Sequence, residues 1–66
     1  MPAQRLEIGD VILVPLSDGQ EPVEAKVVRQ IERTPTTVRA TLRVADEEPF
    51  GREWPIGELV TVVRGP

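Results

Sequence analysis

Prolines at positions 15, 22, 35, 49 and 55 divide this 66-residue chain into stretches that leave little room for a helix. Each proline removes a backbone donor and clashes with the preceding helical turn. Within those stretches the apolar residues recur with period two, the signature of a strand with one face buried. In the longest proline-free stretch, Val23 to Thr34, the residues Val23, Ala25, Val27 and Ile31 alternate with Glu24, Lys26, Gln30 and Glu32. The next stretch alternates more regularly still, with Val38, Ala40, Leu42 and Val44 set between Thr37, Arg39, Thr41 and Arg43. These two are expected to form a long central hairpin, turned by a loop at Glu32-Arg33-Thr34-Pro35.

Three further strands are expected. Val11 to Val14 follows Ile8-Gly9-Asp10 and ends at Pro15 and the turn Ser17-Asp18-Gly19-Gln20. Phe50 to Trp54 follows the charged loop Asp46-Glu47-Glu48-Pro49, and Leu59 to Arg64 closes the chain. Between these last two, Pro55-Ile56-Gly57-Glu58 reads as a single helical turn. An all-β pattern of five short strands, a long central hairpin and a single helical turn before the last strand resembles the SH3-like barrel. The resemblance is one of strand lengths and turn spacing over nearly the whole chain, as one small β-barrel domain spanning 1–66. Met1 to Glu7 is polar-biased and is expected to fray.

The register of the hairpin can be tested with charges. Pairing Val38 with Arg29 sets Glu24 opposite Arg43, a favourable cross-strand pair, whereas pairing Val38 with Ile31 sets Lys26 opposite Arg43, which is repulsive. The first register is therefore expected. Arg29 interrupts the apolar face of its strand in either case. It lies past the barrel mouth, is turned outward by a bulge at Val27-Val28, or faces a ligand.

A chain this small buries only about 60% of its unfolded surface and commonly has roughly 3–5 kcal/mol of stability, so a surface site is expected rather than a deep pocket. There is no cysteine, hence no disulfide or thiolate metal site, which fits a reducing cytoplasm. No apolar run approaches the roughly 18 residues of a spanning helix. Seven arginines stand against one lysine, with no asparagine or tyrosine, a bias that suggests a GC-rich bacterial genome.

The absence of histidine, cysteine and tyrosine removes the usual neutral-pH base, the thiol nucleophile and the aromatic hydroxyl. A non-enzymatic role is expected. Ser17 is the only serine and reads as a turn residue with no base to activate it. Asp46-Glu47-Glu48 could meet a hard cation, but three adjacent acids before a proline read more simply as a solvated turn. The glycines stand singly, with no phosphate-cradling motif, so no cofactor is expected. Phe50 and Trp54, the only aromatics, are too few for a proline-peptide groove or a methyl-lysine cage. Trp54 itself is expected in the core, with an exposed binding anchor as the alternative.

Two functional expectations remain. The first is protein interaction or self-assembly through a patch of Val28, Trp54, Val60 and Val62. The second is nucleic-acid binding along the hairpin, where Lys26, Arg29, Arg33, Arg39 and Arg43 lie within eighteen residues against Glu32 alone. Against the second stands the overall charge of −3, opposite in sign to the usual basic footprint.

Overall fold

A computed structural model describes residues 1–17 and 19–66, so Asp18 of the expected Ser17–Gln20 turn lies outside the described residues. The fold is all-β, with one 3-10 turn at Ala3–Arg5 and the strands β1 (Val11–Val14), β2 (Val23–Val27), β3 (Glu32–Arg33), β4 (Thr37–Arg43), β5 (Phe50–Pro55) and β6 (Thr61–Arg64). No helix among the described residues is long and apolar enough to cross a membrane. The strands form one antiparallel sheet in the order β3-β4-β2-β1-β6, with β5 on the other side of β4. The sheet is not closed, since β5 and β6 do not pair with each other.

Alternation explains the core. On β4 the side chains of Val38, Ala40 and Leu42 are buried while Arg39 and Arg43 are exposed, and β2 buries Ala25 and Val27 while exposing Glu24 and Lys26. Ile12, Val14, Trp54 and Val60 complete the cluster. A fully buried side chain such as Leu42 stabilises the fold by about 1.5–3 kcal/mol.

Six strands form where five were expected, because the second strand breaks. Val27 pairs with Leu42, but Arg33 rather than Ile31 pairs with Val38. Two extra residues are therefore taken up at 28–31, which joins β2 to β3 along one side of β4. Arg29 sits in this break and is exposed. The bend lets β2 belong mainly to β1, with which it pairs from Val23 to Lys26, while β3 belongs to β4.

The expected register is also corrected at the β2 end, where Lys26 faces Arg43 and Val38 does not face Arg29. The two registers considered differ by two residues and bury the same face, so alternation cannot choose between them. A charge pair worth about 0.2–1 kcal/mol is too weak to set the register against core packing. The observed pairing puts Val27 directly opposite Leu42, both fully buried.

The helical turn expected at Pro55–Glu58 is a β-turn instead. The Glu58 amide donates to the Pro55 carbonyl at 3.1 Å, and Gly57 has φ 88°, a left-handed conformation that belongs to the third position of a type II turn and not to a right-handed helical turn. Nor is the N-terminal segment frayed. Ala3 and Leu6 are both 0% exposed, the Ala3 amide donates to the Glu58 carbonyl at 2.8 Å, and Pro2 bridges Leu59. Two apolar residues in a polar stretch suffice because each has a long-range partner waiting.

Two arginines complete the open sides of the sheet. Arg33 lies opposite Val38 and Arg52 opposite Ala40, so both start on the inward-facing register of their strands. Arg33 reaches out to donate to the carbonyls of Gln4 (2.9 Å) and Leu6 (2.8 Å), which ties β3 to the N-terminal segment. Arg52 donates to the Pro15 carbonyl at 3.1 Å, which ties β5 to the end of β1.

Candidate interaction groove

The outward register of the same strands builds a different feature. Arg64 on β6 faces Val11 on β1, Val11 faces Lys26 on β2, and Lys26 faces Arg43 on β4. Three cations and one valine thus form a row across four strands. The Lys26–Arg43 pair is like-charged and directly opposed, an arrangement that costs about 0.2–1 kcal/mol. Arg64 approaches Glu24 at 3.7 Å, both side chains being more than half exposed, so the pair contributes little. The Arg43 Nε donates to the Glu47 carbonyl at 3.1 Å. Lys26 has no carboxylate within ion-pair distance among the described residues.

Beside this row the sheet opens. Pairing of β2 with β1 runs from Val23 to Lys26, but pairing with β4 covers only Lys26 and Val27. Past Arg43 the chain leaves β2 in a turn in which the Glu47 amide donates to the Val44 carbonyl at 3.0 Å and Ala45 has φ 49°. Among the described residues, the β4-facing edge of β2 at Val23–Ala25 consequently has no strand beside it. Between that edge and the departing segment 44–46 lies a groove of about 600 Å³. Its walls carry Val11, Val23, Val28 and Val44, the cations Lys26, Arg43 and Arg64, and the carboxylates of Glu24 and Asp46. The volume falls within the roughly 300–1,000 Å³ typical of ligand clefts.

The residues singled out from the sequence divide among several places. Of the five hairpin cations, only Lys26 and Arg43 join the groove. Arg29 is in the strand break, and Arg33 is engaged by the N-terminal carbonyls. Arg39 lies between Glu32 on β3 and Glu53 on β5, with its guanidinium 2.7 Å from where a Cβ on Gly51 would stand. Arg39 and Arg43 share the exposed face of β4, while Arg29 and Arg33 lie elsewhere.

The valine and tryptophan patch does not form either. Trp54 is 5% exposed and Val60 8%, both in the core, and Val62 faces Ile12 on the inward side. Only Val28, half-buried at the groove, is placed to meet a partner. Arg64 was absent from both sequence-based sets. Its place in the row depends on β6 pairing with β1, a long-range contact without a local signal.

Compared with known proteins, the chain matches no family model, no curated protein and no solved structure.

Proposed function

We propose that this chain is a non-enzymatic interaction module, an open SH3-like barrel that binds another protein through the groove beside β2. The continuous order β6, β1, β2, β4, β5 and the bent second strand support the SH3-like reading, while the β-turn at Pro55–Glu58 and the open seam are departures from it. The observation that carries the functional reading is the coincidence of an uncovered strand edge at Val23–Ala25 with the Arg64-Val11-Lys26-Arg43 row. A strand edge offers main-chain hydrogen bonds to an extended peptide, and side chains beside it supply selectivity. The absence of cysteine supports a cytoplasmic setting, and the lack of histidine, cysteine and tyrosine supports a role without catalysis.

Nucleic acid is the weaker reading. Arg39 is flanked by glutamates, Arg33 is already engaged, and Glu24 and Asp46 stand where a run of phosphates would pass. The groove has no aromatic ring on which a base could stack. An amide-resolved NMR titration compares the two, using a pool of extended peptides of mixed sequence and a pool of mixed-sequence oligonucleotides at low and high salt. Shifts in 23–28 and 43–46 with the peptide pool are expected. Salt-sensitive shifts with oligonucleotides alone would overturn the protein-binding reading.

A further inference from the structure

We infer that the occupant of the groove is an extended segment of a partner protein that lies along β2 at Val23–Ala25 and sets a carboxylate against Lys26 and Arg43. This deepens the protein-binding reading and rests on it. The uncovered edge is three residues long, about 10 Å at roughly 3.3 Å per residue, and of these Glu24 turns its N–H and C=O toward the open side, which suits a short extended segment making two main-chain bonds and not a helix.

Charge selects the chemistry. Three cations and two carboxylates line the groove, leaving one net positive charge. Lys26 and Arg43 repel each other across the strand pair, and an anion between them reverses the sign of that interaction. A carboxylate suits this site because charge-assisted hydrogen bonds to ammonium and guanidinium groups are short and strong. A polyanion does not suit it, since successive charges would meet Glu24 and Asp46. The flanking valines, Val11, Val28 and Val44, accept small apolar side chains on either side of the acid.

The test is a ¹⁵N NMR and calorimetric titration with four probes. These are a short peptide alternating valine and threonine around a central glutamate, the same peptide with glutamine in its place, the glutamate peptide N-methylated along one edge, and an oligothymidylate. The glutamate peptide is expected to shift 23–28 and 43–46, with the glutamine form about ten- to hundredfold weaker, the loss that corresponds to one charge-assisted hydrogen bond. The N-methylated form is expected to lose binding because it cannot donate to the β2 edge. A Lys26→Gln variant should weaken binding of the glutamate peptide while melting no lower than the parent.

Equal binding of the glutamate and glutamine peptides at the groove would overturn the carboxylate inference and leave the protein-binding reading standing. Equal binding of the N-methylated peptide would overturn strand addition. Groove shifts that grow with protein concentration alone, with a rise in mass by light scattering, would assign the groove to a second copy and overturn the inference. Groove shifts with oligothymidylate and none with peptides would overturn both.

Discussion

Arg33 and Lys26 come from one continuous, strongly charged segment, yet the molecule uses them in opposite ways. Arg33 has the parity of Val27, starts on the inward register opposite Val38, and spends its donors on two backbone carbonyls. Lys26 lies on the outward register, faces another cation, and has no carboxylate partner among the described residues. Arg52 belongs with the first kind; Arg43 and Arg64 share the outward register with Lys26, Arg43 with one bond to the Glu47 carbonyl and Arg64 with an exposed contact to Glu24. A dense run of basic residues is therefore not one surface. Parity decides which cations hold the molecule together and which are left to meet something else.

Mutations can break or sharpen this contrast. The largest effect is expected from the inward face itself, where Leu42→Ala should destabilise by about 2–5 kcal/mol in denaturant titrations. If the loss were a few tenths, the inward register of β4 would not carry the core. Arg33→Ala comes next, at about 1–3 kcal/mol, because it strands the Gln4 and Leu6 carbonyls, and amide exchange near Ala3–Leu6 should accelerate. Arg52→Ala removes a single bond to Pro15 and should cost about 0.5–1.5 kcal/mol by the same measure.

The smallest change should have the opposite sign. Lys26→Gln relieves the pair with Arg43 and should stabilise by about 0.2–1 kcal/mol, with the gain shrinking as salt is added. A loss of stability there would place Lys26 with Arg33 among the structural cations and dissolve the contrast.

Much of the fold was legible in the sequence where local pattern is the cause. The bounds of β1 follow from an apolar run set between Gly9-Asp10 and Pro15, and the inward set Val38, Ala40 and Leu42 from alternation. The break at 28–31 was half legible, since Arg29 interrupts the apolar parity and a bulge was one of its readings, but the number of residues absorbed was not. Gly57 could have warned against a helical turn, because glycine is the residue that tolerates a positive φ. Docking of Ala3 depends on Glu58 and that of Leu6 on Arg33, both distant in sequence, and leaves no local trace.

The site was less legible than the fold. Lys26 and Arg43 were named for their charge, but their union with Arg64 needed the β6–β1 and β2–β4 registers together. The patch of Val28, Trp54, Val60 and Val62 treated apolar residues as available to a partner, whereas a core this small takes in Trp54 and Val60. Parity assigned to Arg33 before its charge was counted would have removed it from the basic stripe at the outset.

The bridge between Pro2 and Leu59, with the Met1 carbonyl accepting from the Val60 amide at 2.8 Å, bears on how the chain reaches this state during translation. Ala3 is synthesised well before Glu58, whose carbonyl accepts its amide, and Met1 before Val60. A chain that stops short of residue 58 has the Arg33 bonds to Gln4 and Leu6 within reach but lacks the partners of Ala3 and Met1. The bonds of Ala3 and Met1 therefore form late, and their pace reflects the cost of bringing distant parts of the chain together.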